Sequence, residues 1–179
     1  LDMFRDLVGL KSSTILEKTE SIFPIENKKI VYLDDVTTSY SELNSKPNLW
    51  NKIVSKLELI TTNFNGNIAL FFPSYKLLEL ALESLQLNKP VYREYSGMDQ
   101  EELMQTVESF KSDSGAVLAG VMGGRLAEGI DYPETSLEMA VIVGIPYPSP
   151  GVRQNALQHY YDISFNGRGW KFAVESPAV

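Results

Sequence analysis

The chain contains no cysteine and a single histidine. The first absence excludes disulfides, thiol catalysis and any Cys/His zinc site within these residues, and it accords with a reducing compartment. The second leaves His159 as the only imidazole base. No apolar run approaches the roughly 20 residues that a membrane-spanning helix needs. The opening LDMFRDLVGL has neither the basic start nor the cleavage site of a signal peptide. It also lacks an initiating methionine, so the expectation is of a piece of a longer chain. Positive charge is scarce as well. The net charge is −7, with 10 Lys/Arg against 11 Asp/Glu in residues 1–90 and 6 against 12 in residues 91–179. A basic footprint for nucleic acid is therefore missing at the level of the whole chain, and any such contact must be local, made by backbone N–H groups and a few polar side chains. Neither a G-x-x-x-x-G-K-[ST] loop nor a G-x-S-x-G elbow occurs, and no close pair of carboxylates has an acid/base role. The sequence holds no self-sufficient catalytic constellation.

What is present alternates between strand and helix patterns. The 179 residues, 44% apolar and 22% charged, suit one domain with a single well-buried core. KKIVYLDDVTT reads as a strand. PNLWNKIVSKLELITTNF places Leu49, Trp50, Ile53, Val54 and Leu57 on one helical face. GNIALFFPS is a continuous apolar run between Gly66 and Pro73, as expected of a strand covered on both faces. YKLLELALESLQL carries an apolar stripe of Leu77, Leu78, Ala81, Leu82 and Leu85. PVYREYSG reads as a short strand. DQEELMQTVESFK opens with Asp99 and Glu102 in a capping-box-like start and should bury Leu103, Val107 and Phe110. GAVLAGVM and EMAVIVGIPYP read as two further buried strands. A last helix between Pro150 and Ile163 carries Ala156, Leu157, Tyr160 and Tyr161. The pattern predicts an α/β domain with a mostly parallel sheet.

Open sheets of this class bind ligands at the carboxyl ends of their strands. Three segments end a strand with small or polar residues: FFPSYK (71–76), GVMGGRLAEGID (120–131) and GIPYPSP (144–150). A parallel arrangement would bring all three to one rim. In the second, four glycines surround an arginine, a glutamate and an aspartate. Gly123 and Gly124 suit a turn whose N–H groups converge on an anion. Arg125 suits the planar recognition of phosphate, and Asp131 suits sugar hydroxyls or the orientation of Arg125. The alternative is a plain turn with a solvated Arg–Glu pair. Ser74 and Tyr75 stand where a helix should start, so a hydroxyl there either caps the helix or joins an anion site. His159, in LQHYYD, has no acid or nucleophile partner and is expected to be structural. PYPSP reads as a rigid strand exit.

Together these segments resemble the second motor domain of the XPD-like DNA helicases, relatives of the DinG helicases within helicase superfamily 2. NIALFFPSYKLLE is similar to motif IV, and GAVLAGVMGGRLAEGIDYP to motif V with its G-R-x-x-E-G-I-D core. AVIVGIPYPSP, then RQNALQHYYD and GRGWKFAVESPA, match the family's order. LDMF resembles the residues directly after the family's S-G-T-L-S-P segment, motif III. The family's motif VI, Q-x-x-G-R-x-x-R, is expected just after ESPAV. Its Walker motifs and the cysteines of its iron–sulfur cluster belong to the first motor half.

The resemblance implies a RecA-like three-layer fold, with residues 1–179 forming a single second motor domain that stops before motif VI and cannot hydrolyse ATP alone. It implies that Ser74 and Tyr75 contact DNA phosphate. Gly123, Gly124 and Arg125 would face the strand backbone or the opposing domain. Asp131 would face the nucleotide near the ribose, while Glu128 and Gly129 would shape that end of the loop at the interdomain cleft. ATP and Mg2+ would be bound with the first RecA-like domain of the same parent chain, and an iron–sulfur cluster would lie in that half, not here. The partners would be single-stranded DNA and a regulatory protein subunit, with no membrane. The activity would be 5′→3′ translocation in DNA repair, in the cytoplasm of a prokaryote or archaeon or in a eukaryotic nucleus. Two other readings stay open: a protein-docking module using the acidic second half, and a stand-alone α/β domain that binds a phosphate ligand at residues 123–131.

Overall fold

The computed structural model describes residues 2–133, 135–148 and 150–178, so Leu1 of LDMF and Ser149 of GIPYPSP lie outside the described residues. In chain order the elements are α1 (Asp2–Leu7), a 3-10 turn (Ile25–Asn27), α2 (Tyr40–Ser45), α3 (Leu49–Asn63), β1 (Ile68–Phe72), α4 (Tyr75–Ser84), β2 (Val91–Arg93), α5 (Gln100–Ser112), β3 (Val117–Val121), β4 (Met139–Ile142), α6 (Val152–Ser164), a π-helical turn (Lys171–Glu175) and α7 (Ser176–Ala178). They fall into two compact units, Leu1–Asp34 with Pro150–Pro177, and Asp35–Ser149 with Ala178–Val179.

The second of these units holds the sheet, in the order β2-β3-β1-β4 with every pair parallel. Its two central strands, IALFF and VLAGV, are buried at every position. That is the expected result when helices cover both faces of a parallel sheet. Alternation along the strands divides the core in two. Ile68, Leu70 and Phe72 with Val117, Ala119 and Val121 pack towards Ile53, Val54 and Leu57 of α3 and Leu78 and Ala81 of α4. Ala69, Phe71 and Leu118 face the other way, onto Leu103, Val107 and Phe110 of α5. The expected three-layer α/β arrangement is present, and the apolar stripes read from the sequence on α3, α4 and α5 face the core, whereas on α6 Ala156, Leu157 and Tyr160 are exposed. Local signals hold too: the Asp99 side chain caps α5 by accepting from the N–H of Glu102 at 2.8 Å, a contact worth about 1 kcal/mol. At the other end of the strands, buried Asn67 staples three connections. Its Nδ2 donates to the carbonyls of Asp113 (3.0 Å) and Ser136 (3.2 Å), and its Oδ1 accepts from the Ala116 N–H (2.8 Å).

Two sequence expectations are corrected. KKIVYLDDVTT forms no strand: residues 28–34 have no regular structure, and Val31 and Tyr32 are 70% and 84% exposed. Its β-branched and aromatic content expresses a propensity that only a neighbouring strand could convert into a ladder, and among the described residues it has none. The boundary between the two units falls within it, after Asp34. EMAVIVGIPYP does form β4, but not a buried strand. β4 is an edge, and Ala140 and Ile142 are exposed while Met139 and Val141 pack against the core.

In the other unit, α6 and the π-helical turn meet through aromatic rings. Tyr161 lies 6.0 Å from Phe172 and 5.7 Å from Phe165, with Phe165 and Phe172 5.1 Å apart. Gln154 donates to the Ala173 carbonyl at 2.6 Å, and the Gly169 N–H to Asp162 Oδ1 at 2.7 Å. No residue of α6 is buried, and His159 is exposed on it.

Candidate functional site

Because all four strands run the same way, their carboxyl ends reach one rim. Phe72 pairs with Val121, Phe71 with Ile142 and Arg93 with Ala119. The ladder continues past the strands, with the Met122 N–H on the Phe72 carbonyl (2.8 Å) and the Val143 N–H on the Phe71 carbonyl (2.9 Å). Ser74–Tyr75 and the glycine-rich loop therefore leave adjacent strands at the same level.

Ser74 has extended backbone and caps α4, its Oγ accepting from the Leu77 N–H at 3.3 Å. The capping reading of this hydroxyl is thus realised, and the residue remains exposed at the head of a ten-residue helix. Tyr75 is half-buried. Its phenol is held above the usual tyrosine range chiefly by burial, and further by the negative charge of Glu94, while the positive charge of Arg125 pulls it down. The two segments expected at the site are thereby brought within electrostatic reach of each other.

The loop begins with Gly123 at φ +71°, a left-handed conformation that favours glycine. It then makes one helix-like turn, with the N–H groups of Ala127 and Glu128 both on the Gly124 carbonyl at 3.1 Å. Gly124 is required for a different reason: a Cβ there would stand 2.4 Å from Glu94 Oε1 and 2.9 Å from the Val121 carbonyl oxygen. Arg125 is exposed and leans on the start of α5, its Nη2 donating to the Met98 carbonyl and its Nη1 to Gln100 Oε1 at 3.4 Å. It is oriented by this connection, whereas the sequence suggested Glu128 or Asp131 as its partner. Glu128, Gly129 (φ +82°) and Asp131 are exposed at the far end of the loop. Leu126 turns back into the core, and its carbonyl accepts from Tyr132 Oη at 2.9 Å. The Tyr132 phenol is pushed up to about 12, first by burial and then by the charge of Glu94.

Glu94 is the residue that sequence reasoning missed. It sits directly after β2 and is 2% exposed. Its Oε1 accepts from the Val121 N–H at 2.9 Å and its Oε2 from the Leu126 N–H at 3.3 Å. In sequence it is one charge in YREY, without a motif. The only available signal was its position at the carboxyl end of a strand.

A parallel sheet with helices on both faces and polar loops at one rim has the doubly wound form, the class in which ligands bind at the carboxyl ends of the strands. The model of the helicase C-terminal domain family matches residues 57–178. The chain belongs to the helicase C-terminal domain family, in its XPD-like form. It is 30% identical over 149 residues to the ATP-dependent DNA helicase XPD of Sulfolobus acidocaldarius, covering 81% of this chain and 26% of that helicase. It is 32% identical over 139 residues to a probable ATP-dependent helicase of Methanocaldococcus jannaschii, covering 73% of this chain and 20% of the relative. The solved structure described as XPD_APO superposes with a TM-score of 0.63 at 29% identity over 80% of this chain and 29% of that one. The chain thus spans about a quarter or less of the curated relatives it matches.

ATP is the cofactor those names imply. The exposed carboxylates of Glu128 and Asp131 suit the hydroxyl groups of a nucleotide, and the sequence supplies no Walker cradle for its phosphates. Among the described residues no group of three or more His, Cys, Asp and Glu side chains could hold a metal ion. The residues present offer acceptors for sugar hydroxyls and no cradle for phosphates. No helix among the described residues is long and apolar enough to cross a membrane.

Proposed function

We propose that residues 1–179 serve as the second motor domain of an ATP-dependent DNA helicase of the XPD type, gripping single-stranded DNA and moving along it 5′→3′ in DNA repair. The observation that carries this reading is the register of β1 on β3, Phe72 opposite Val121, in a chain of the helicase C-terminal family. It brings Ser74–Tyr75 and Gly123–Arg125 out side by side, as two neighbouring grips on one strand backbone. Ser74 and Tyr75 contact DNA phosphate. Gly123 presents its main-chain N–H, Gly124, whose own N–H is taken by the Val121 carbonyl at 3.0 Å, leaves room for close approach, and Arg125 presents a guanidinium that its bond to the Met98 carbonyl already orients. Contacts through backbone amides and one oriented arginine reconcile nucleic-acid binding with a net charge of −7.

At the far end of the loop, Asp131 would accept from the nucleotide ribose, and Glu128 and Gly129 would hold the approach to it. ATP, with Mg2+, would be the nucleotide hydrolysed, bound jointly with the first RecA-like domain of the same parent protein. The loop from Gly123 to Asp131 then has the strand at one end and the nucleotide at the other, which couples nucleotide state to grip. A regulatory subunit is a further partner in this reading, and the setting is the cytoplasm or the nucleus. The test is Arg125→Ala in the full-length protein. Loss of a charge-assisted bond to phosphate should weaken DNA-stimulated ATP hydrolysis at subsaturating DNA by about tenfold to a hundredfold, with the melting temperature little changed. Undiminished stimulation would remove Arg125 from the grip.

A further inference from the structure

We infer that Glu94 is a positioning residue for the DNA grip, a buried carboxylate that shapes the Val121–Leu126 turn and ties it to the end of β2. This rests on the motor reading, and it concerns a residue that no recognised motif contains.

A carboxylate taken out of water is costly unless its lone pairs are used. Here they are used on main-chain N–H groups five residues apart, those of Val121 and Leu126. Those two bonds span the turn that contains Gly123, Gly124 and Arg125. An apolar side chain of similar size would fill the volume but leave both N–H groups buried and unpaired. Gly124 completes the fit, since a Cβ there would stand 2.4 Å from Oε1. Glycine at this one position leaves the carboxylate its room. Four residues further along the same connection, the Met98 carbonyl takes the Arg125 guanidinium. The stretch from Glu94 to Met98 thus holds the turn at its backbone and at its charged tip. Through this one buried group the turn keeps a fixed place at the end of β2.

The experiment is a double-mutant cycle in the full-length protein, read as the affinity for fluorescent oligo-thymidine and as DNA-stimulated ATP hydrolysis. Glu94→Gln keeps the shape but turns an amide NH2 onto one of the two N–H groups. It should weaken oligonucleotide binding by about tenfold, as Arg125→Ala does, and the double variant should be no more than about twofold worse than either single one. Phe110→Leu serves as the control for mere destabilisation, because Phe110 is buried in the last turn of α5, beside Asn67 at the end of the strands away from the rim. It should lower the melting temperature and leave affinity within twofold of wild type. Affinity of Glu94→Gln within twofold of wild type, or additive losses in the double variant, would overturn the inference. Should Glu94→Gln fail to fold, Glu94→Asp keeps the charge but withdraws it by one methylene. It must then show the loss of affinity, and unchanged binding refutes the proposal. A wild-type protein without DNA-stimulated hydrolysis refutes the motor reading and this inference with it; a normal wild type with a normal Glu94→Gln refutes only the inference.

Discussion

Gly124→Ala gives a stability change whose sign depends on Glu94. Away from left-handed backbone, replacing a loop glycine by alanine ordinarily stabilises a protein by about 0.4–1 kcal/mol, because the unfolded chain loses freedom. At Gly124 the added carbon would stand 2.4 Å from Glu94 Oε1, 2.7 Å from Val121 Cγ2 and 2.9 Å from the Val121 carbonyl oxygen. Two of these neighbours are buried side chains and the third is backbone, so none can move away freely. Overpacking of this kind costs about 1–3 kcal/mol. Displacing the carboxylate far enough to relieve it strains the bonds to the Val121 and Leu126 N–H groups, which adds about 1–3 kcal/mol if either is left unpaired. The net expectation is a loss of about 3 kcal/mol. For a chain of this size that is a fall of roughly 6–12 °C in melting temperature. Thermal unfolding monitored by circular dichroism measures it directly. A Gly124→Ala protein as stable as wild type, or more so, would show that Glu94 does not occupy the space beneath the turn, and the reasoning would fail.

Single contacts carry the remaining expectations. Ser74→Ala removes the cap on α4 and should cost about 1 kcal/mol of stability; if Ser74 also touches phosphate, DNA affinity falls as well, which separates the two roles of one hydroxyl. Asp35 accepts from Lys56 at 2.9 Å and Lys52 at 3.0 Å, and these contacts lower its pKa from 3.8 to about 2. A depressed carboxylate stabilises the fold above its unfolded value, so this contribution is complete above about pH 4 and is lost as pH falls from there through about 2. Asp35→Asn should flatten that part of the acid unfolding curve, and an unchanged curve would discount the two lysines.

The sheet was largely legible because its signals are local and redundant. IALFF and VLAGV are apolar throughout, and the stripes at Ile53–Leu57 and Leu103–Phe110 repeat at the helical period, so pattern and burial agree. KKIVYLDDVTT misled because strand propensity says nothing about a partner, and none of the sheet edges takes it up. β4 kept its identity but not its burial, since edge position is a property of topology rather than of MAVI. At the site, the rim was inferable from parallel strands alone, and Ser74, Tyr75 and Gly123–Arg125 do gather there. The partner of Arg125 was not inferable: Met98 and Gln100 lie more than twenty residues earlier, and a backbone carbonyl leaves no mark in sequence. Glu94 was hidden for the same reason, because its partners are main-chain N–H groups.

The most direct test of the central claim is unwinding by the full-length protein of a DNA duplex carrying a single-stranded tail at its 5′ or its 3′ end, with ATP hydrolysis measured in parallel. Strand separation from the 5′-tailed duplex, accompanied by DNA-stimulated hydrolysis, is the predicted result. Hydrolysis that ignores DNA, with neither duplex opened, would contradict the motor reading outright.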